Sequence, residues 1–255
     1  MIVWSIANQK GGVGKTTTTI TLAGLLSQRG KRVLLVDTDP HGSLTTYLGY
    51  DSDNLPCSLF ELFQLPTLNK ATITPFVLKS DIPGLDLIPA HMSLATLDRV
   101  MGNRNGMGLV LKRTLKALED DYDYVLIDCP PILGVMMVNA LAASTRVLIP
   151  VQTEFLAMKG LERMMKTLNI MQRNKPSLFD VTIIPTMYDK RTNASLQTLM
   201  ELKSLYPEQV WASAVPIDSQ FRDASLKRMP PSFVSPNSRG VFAYKTLLNY
   251  LERLA

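Results

Sequence analysis

The chain has 255 residues, 46% of them hydrophobic, and its formal net charge at pH 7 is +5. This length and composition fit a globular domain with a buried core, and no apolar stretch reaches the roughly 18 residues that a membrane-spanning helix needs. The first residues lack a basic segment followed by a long apolar one, so we expect no signal peptide and a cytoplasmic location.

Apolar, β-branched runs alternate with amphipathic segments along the chain, which predicts an α/β fold with a mostly parallel sheet and helices on both faces. The predicted strands span residues 2–7, 32–37, 85–89, 124–128, 146–151 and 181–185. The predicted helices span residues 16–29, 108–119, 156–173, 195–206 and 240–254. Residues 41–80 are less periodic and contain three prolines, which indicates a loop with short helices. No long linker divides the chain, so we predict a single domain over residues 1–255.

A glycine-rich segment joins the first predicted strand to the first predicted helix. In that context, inward-turned backbone N–H groups and a helix N-terminus bind phosphate. The residues that we assign to the nucleotide phosphates are Gly11, Gly12, Val13, Gly14, Lys15, Thr16 and Thr17. We expect Lys15 to contact the β- and γ-phosphates and the Thr16 hydroxyl to ligate Mg²⁺.

Two apolar strands end in carboxylates. Asp37 and Asp39 follow one of them at a spacing of two residues, which directs both side chains to the same side of an extended chain. Asp128 ends the other strand, which fits a Walker B strand whose carboxylate holds Mg²⁺ through water. Parallel strands present such residues at the edge where α/β proteins bind ligands.

The phosphate loop departs from the general pattern because Gln9 stands where that pattern has its first glycine, and Lys10 begins the segment Lys10-Gly-Gly-Val-Gly-Lys15-Thr16. This segment resembles the deviant Walker A motif of the ParA/MinD family of P-loop ATPases. The resemblance implies a homodimer that forms around ATP, with Lys10 reaching the phosphates of the partner subunit. It also implies that Asp39 polarises the attacking water and that Asp37 supports the Mg²⁺ shell, alongside Thr16 and Asp128. Lys10, Lys15 and Asp39 are therefore the predicted catalytic residues.

Two later segments extend the resemblance to the base of the nucleotide. A GTPase of this fold would have a lysine at position 187, where this chain has Met187. Met187 and Tyr188 can instead lie against an adenine face, which favours ATP over GTP. Pro216 and Asp218 are expected to close the other side of the base.

The charge is uneven along the chain. Residues 159–255 hold 14 Lys and Arg against 8 Asp and Glu, a net of +6, whereas residues 1–158 hold 13 against 14. A basic C-terminal part permits contact with a polyanion, although a solvated surface explains the same excess. For nonspecific DNA the candidate residues are Arg191, Arg222, Lys227, Arg228 and Arg239, with Lys245 nearby.

Membrane attachment is not expected, because the last helix has a core-facing apolar stripe and few basic residues. Cys57 and Cys129 have no metal-like spacing and are read as free thiols.

The sequence thus predicts a weak Mg²⁺-ATPase that works as a dimerising switch, stimulated by an adaptor and positioning a cargo. A chromosome or plasmid locus, with a ParB-like adaptor, and a polar chemotaxis array, with its own adaptor, both fit. The expected location is cytoplasmic, at the nucleoid or at a cell pole. Three alternatives stay open: a non-catalytic scaffold gated by ATP, a MinD-like membrane-associated ATPase, and an ATP-dependent ligase or iron–sulfur carrier.

Overall fold

The computed structural model describes residues 1–97, 99, 106–173 and 179–254. The strands in these residues are β1 (Ile2–Ile6), β2 (Val33–Asp37), β3 (Leu78–Lys79), β4 (Leu85–Ile88), β5 (Tyr124–Asp128), β6 (Arg146–Gln152) and β7 (Asp180–Thr186). They form one sheet in the order β3-β4-β2-β5-β1-β6-β7. Every pairing is parallel except that of β3 with β4. The predicted fold class is confirmed.

The α-helices within the described residues are α1 (Lys15–Gln28), α2 (Ser43–Tyr47), α3 (Leu59–Leu62), α4 (Lys70–Ile73), α5 (Val110–Ala117), α6 (Val135–Ala143), α7 (Phe155–Gln172), α8 (Asn193–Leu205), α9 (Gln220–Leu226), α10 (Pro231–Val234) and α11 (Arg239–Arg253). The predicted strands and long helices all occur, with ends that differ from the prediction by at most two residues. The exception is the predicted helix at 108–119, which begins with the 3₁₀ turn Met107–Leu109 before α5.

A hydrophobic core lies on each face of the sheet, because alternate strand residues point to opposite sides. In β2, Leu34 and Val36 pack into one core, and Val33 and Leu35 into the other. Helices α5, α6 and α7 cover the first face, and α1 and α11 cover the second. The C-terminal edge of the sheet lies between these layers. The residues that the sequence assigns to the nucleotide and to Mg²⁺ lie at this edge.

Some elements carry no clear signal in the sequence. Helix α6 is apolar on almost every side, so it lacks the amphipathic period by which a half-buried helix is recognised. Strand β3 has only two residues, and α9 and α10 are short helices around the proline pair at 230 and 231. The division of the chain into one domain stays a prediction.

The last helix buries the stripe that its sequence predicted. Tyr244, Leu247, Leu248 and Leu251 are buried against the sheet, whereas Leu254 is partly exposed. Within the described ranges, no helix combines the length and the apolar character that crossing a bilayer requires.

Candidate nucleotide site at the C-terminal edge of the sheet

The phosphate loop lies between β1 and α1, and two glycines allow its turns. Gly12 has φ 73° and Gly14 has φ 93°, values that a side chain at Cβ disfavours. The loop is held from β7, two strands away from β1 in the sheet, where the Thr186 hydroxyl donates to the Val13 carbonyl at 2.9 Å. Lys15 begins α1, is almost fully buried, and its ammonium donates to the Lys10 carbonyl at 3.3 Å. The loop is therefore closed around its own lysine.

Two buried carboxylates face the beginning of α1 from neighbouring strands. Asp37 and Asp128 are aligned partners in the β2–β5 register. Asp128 accepts a hydrogen bond of 2.6 Å from the Thr16 hydroxyl. Asp37 accepts two of 2.8 Å each, from the Thr45 backbone N–H and from its hydroxyl. The three predicted metal ligands, Thr16, Asp37 and Asp128, are thus brought together.

These carboxylates are electrostatically suited to a divalent cation. Burial raises the pKa of Asp37 to about 6, against the lowering effect of the Thr45 hydrogen bonds. Burial and the nearby charge of Asp37 raise the pKa of Asp128 as well. Mg²⁺ commonly uses one or two protein carboxylates together with substrate phosphates and water. The residues present therefore fit Mg²⁺, which would neutralise both carboxylates and the phosphates.

Asp39 lies two residues beyond the end of β2 and is only partly buried. Its Oδ1 accepts a hydrogen bond of 3.0 Å from the His41 N–H, and its backbone N–H donates to Asp37. Its Oδ2 bonds no other residue in the described part of the chain. One carboxylate oxygen is thus held in place while the second can accept a hydrogen bond from water.

Lys10 points away from its own phosphate loop. Its ammonium forms an ion pair with Glu154, in the turn between β6 and α7. Both side chains are partly exposed, at 28% and 41%, so the pair faces solvent. Next to Glu154, Phe155 and Leu156 are 71% and 67% exposed. The Lys10 side chain is therefore available at a partly apolar surface, and only the backbone of this residue takes part in closing the loop.

A cavity of about 330 Å³ adjoins the loop. Gly14 and Thr17 form one end, and Met187 and Pro216 line its walls. Tyr188 lines a separate cavity of about 550 Å³, which shares only residues 216–218 with the first. Asp218 borders both cavities, but its carboxylate accepts from the backbone N–H groups of Gln220 at 3.0 Å and Gly240 at 2.8 Å. Of the predicted base contacts, Met187 and Pro216 thus line the cavity beside the loop, and Asp218 acts as a cap for α9 and α11.

Comparison with known proteins agrees with this geometry. A family model described as an AAA domain matches residues 1–181. The sporulation initiation inhibitor protein Soj of Bacillus subtilis is 36% identical over 95% of both chains. The chromosome partitioning protein ParA of Caulobacter vibrioides is 36% identical over 92% of this chain and 85% of its own. This chain belongs to the ParA/MinD family of P-loop ATPases.

The family's nucleotide and metal agree with the sequence prediction. The structure of cobyrinic acid a,c-diamide synthase from Mycobacterium smegmatis with a bound ATP analogue and magnesium has a TM-score of 0.84 and 36% identity, and the match covers 99% of this chain and 95% of that one. The prediction of ATP and Mg²⁺ as cofactors is confirmed. The role of each site residue stays a prediction.

Several side chains of the site were not predicted. Thr45 holds Asp37, and Glu154 holds Lys10. At the cavity beside the loop, Phe221 and Tyr244 meet edge to face at 5.8 Å, and the Tyr244 hydroxyl bonds the Thr18 hydroxyl at 2.7 Å. Only one of these residues had a signal in the sequence: Tyr244 belongs to the apolar stripe predicted for the last helix, so its burial was expected.

The residues predicted for DNA do not form one continuous cluster. Arg191 and Arg239 line the same cavity as Tyr188, and Arg191 is paired with Asp189 at 2.7 Å. Arg222 instead lines the cavity beside the phosphate loop. Lys227 and Arg228 follow α9 and are exposed, and the Arg228 side chain lies over Gly49. Lys245 donates to the Pro236 carbonyl at 3.0 Å.

Proposed function

We propose that this chain is an ATP-dependent dimerising switch, a weak Mg²⁺-ATPase that positions a cellular cargo from the cytoplasm. The observation that carries the proposal is the division of labour between two lysines. Lys15 is buried within the loop of its own chain, whereas Lys10 stands outside that loop on Glu154. A lysine whose side chain is not used by its own phosphate loop can contact the phosphates of a nucleotide that is bound to a second chain facing it.

The surface around Lys10 suits a second copy. Ile132 and Leu133, just after β5, are 73% and 49% exposed, and Phe155 and Leu156 are similarly exposed after β6. Both segments follow strands whose C-terminal ends lie at the site edge. Exposed large apolar side chains next to a polar site are typical of an interaction surface. Closing such a surface over ATP would exchange the Lys10–Glu154 pair for a pair with phosphate, so pairing would depend on the nucleotide.

Hydrolysis in this scheme depends on positioning and charge neutralisation. Thr16, Asp37 and Asp128 would hold Mg²⁺, Lys15 and Lys10 would bind the phosphates, and Asp39 would orient the attacking water. The metal supplies charge stabilisation for the transferred phosphoryl group when bound. A slow rate of ATP hydrolysis in the absence of a partner fits a switch whose role is to position a cargo.

The relatives named as partitioning proteins support a cargo such as a chromosome or plasmid locus, with a ParB-like adaptor; a polar chemotaxis array with its own adaptor is the alternative cargo. Nonspecific DNA is the proposed track, through Arg191, Lys227, Arg228 and Arg239. Phosphate contacts of this kind do not depend on base sequence and weaken steeply with salt. The accompanying location is the nucleoid or a pole, and no membrane attachment is proposed.

A second candidate is an ATP-dependent ligase, because the cobyrinic acid a,c-diamide synthase named above has the same fold and is 36% identical in sequence. A third is a scaffold that binds ATP without cleaving it. The three differ in what ATP cleavage requires. The switch cleaves ATP with Mg²⁺ alone and faster with its partners, the ligase needs an acid and an amine donor, and the scaffold releases no phosphate.

Phosphate release tests this proposal. We expect slow, Mg²⁺-dependent release by the wild type, and a loss of at least about a hundredfold in Asp39→Ala with ADP binding retained. Asp53→Ala, at an exposed carboxylate, is the matched control and should keep the wild-type rate. Turnover by Asp39→Ala at the wild-type rate would remove the assigned role of that carboxylate. Release that requires an added acid would favour the ligase.

A further inference from the structure

The cavity beside the phosphate loop has one wall that the family motifs do not explain. Its loop end and its β7 wall come from Thr17, Thr186 and Met187, but the facing wall is formed by Phe221 and Arg222 of α9. Tyr244 of α11 backs this wall, in edge-to-face contact with Phe221. The Thr18–Tyr244 hydrogen bond ties the same wall to the first turn of α1. The α9 wall is thus connected, through Tyr244, to the first turn of the helix that follows the phosphate loop.

Among the residues that the structure describes, Arg222 is the one cationic side chain that lines this cavity. Its guanidinium forms no hydrogen bond and no ion pair with any residue that the structure describes, and the side chain is exposed. Asp218, a carboxylate that lines the same cavity, is already engaged with two backbone N–H groups. The guanidinium plane is therefore free to contact a ligand in the cavity.

We propose that Arg222 binds the purine base of the nucleotide and is not part of the DNA-contacting surface. The inference depends on the proposed function, since the base must lie in the cavity next to the loop that holds the phosphates. Arginine stacks on aromatic faces through cation–π and planar contacts. The apolar side chains of Met187, Pro216 and Phe221 supply the remaining contacts for a flat aromatic ring.

The proposal divides the basic residues into two groups. Arg222 serves the nucleotide, whereas Arg191 and Arg239, in the neighbouring cavity, and Lys227 and Arg228, after α9, remain for DNA. The two groups meet at residues 216–218, which border both cavities. A loss of Arg222 should therefore change nucleotide affinity without changing DNA affinity once nucleotide is saturating.

Calorimetric titration of the full chain with Mg²⁺ tests the assignment, using ADP and inorganic tripolyphosphate as separate ligands. Tripolyphosphate offers phosphates without a base. We expect Arg222→Ala to weaken ADP binding roughly threefold to thirtyfold and to leave tripolyphosphate binding unchanged. Arg222→Lys, which keeps the charge but loses the plane, should weaken ADP binding by less. Lys227→Ala, a neighbouring cation that does not line the cavity, should bind both ligands as the wild type does.

Equal ADP affinity in Arg222→Ala and the wild type would overturn the assignment. A loss of affinity in Arg222→Ala that is equal for ADP and for tripolyphosphate would overturn it too. A DNA-retention assay with a saturating non-hydrolysable ATP analogue adds an independent arm. Retention should be the same in Arg222→Ala and the wild type, and its loss with normal ADP binding would assign Arg222 to DNA. A wild type that binds neither ligand would contradict the proposed function itself.

Discussion

The two ends of the proposed nucleotide site are built differently. At the phosphate end, Lys15, Asp37 and Asp128 are buried, and each makes a hydrogen bond within the chain. At the base end, Ile217 is 55% exposed, Met187 is 36% exposed with φ 51°, and the Arg222 guanidinium has no hydrogen-bond or ion-pair partner in the described residues. One end is organised before any ligand binds, and the other leaves side chains uncommitted.

This difference reflects what each end has to recognise. Triphosphate and Mg²⁺ carry concentrated charge, which requires donors and carboxylates at fixed positions in a site of low dielectric. A purine base is flat and largely apolar at its faces, so several different side chains can cover it. The phosphate end can therefore follow a strict motif, whereas the base end can use residues particular to this chain.

The largest effect is expected at the phosphate end, from Lys15→Ala. The substitution removes a buried charge-assisted contact to the phosphates, so ADP affinity should fall by about a hundredfold, more than for Arg222→Ala at the base end. Titration calorimetry measures both. Lys31→Ala, at an exposed lysine after α1, is the control and should bind normally. A smaller loss in Lys15→Ala than in Arg222→Ala would invert the proposed ranking of the two ends.

An intermediate effect is expected from pH acting on the buried carboxylates. Folding raises the pKa values of Asp37 and Asp128, so the folded state favours the protonated form of each carboxyl group. The resulting stabilisation is complete below about pH 4. It is lost as the pH rises through the folded pKa, which is about 6 for Asp37. In the absence of ligand, the free energy of unfolding of the wild type should therefore fall more between pH 5 and 8 than that of Asp128→Asn, by about 1–3 kcal/mol.

Urea unfolding at each pH measures this difference. Asp53→Asn, at an exposed position, should keep the wild-type slope. Mg²⁺ with ADP should reduce the fall in the wild type, because the cation neutralises the carboxylates. Identical slopes for wild type and Asp128→Asn would show that the carboxylate pair is not under electrostatic strain.

The smallest effect is expected from Asp218→Asn. The two carboxylate oxygens cap α9 and α11, and an amide offers only one oxygen to the two N–H groups. Unfolding should become easier by about 0.5–2 kcal/mol, while ADP affinity stays within about twofold of the wild type. A large loss of ADP affinity at unchanged stability would make Asp218 a base-binding residue, as the sequence first indicated.

The parts of the site that the sequence predicted are those in which one local segment carries both the fold and the chemistry. The phosphate loop, with its glycines and Lys15, and the strand ends at Asp37 and Asp128 are of this kind, because hydrophobic periodicity locates the strand and the polar residue follows directly. Helix α6 was not predicted, because a helix that is buried on nearly all sides lacks the amphipathic period.

The parts that were not predicted join residues far apart in the chain. Lys10 and Glu154 are separated by 144 positions, and Thr18 and Tyr244 by 226. Arg222 and Arg191 are both basic residues of the C-terminal part, and composition alone could not assign one to the nucleotide cavity and the other to its neighbour. Only the folded structure distinguishes them, because it places Arg222 in the cavity beside the phosphate loop and Arg191 in the neighbouring cavity.

In the proposed switch, nucleotide state and pairing of chains are linked through Lys10. Light scattering on Asp39→Ala protein with ATP and Mg²⁺ tests this link most directly, because slowed hydrolysis keeps the nucleotide intact. We expect a species of twice the chain mass, which is absent with ADP and absent when Lys10→Ala is added. Single chains under all three conditions, or equal pairing with and without Lys10, would contradict it.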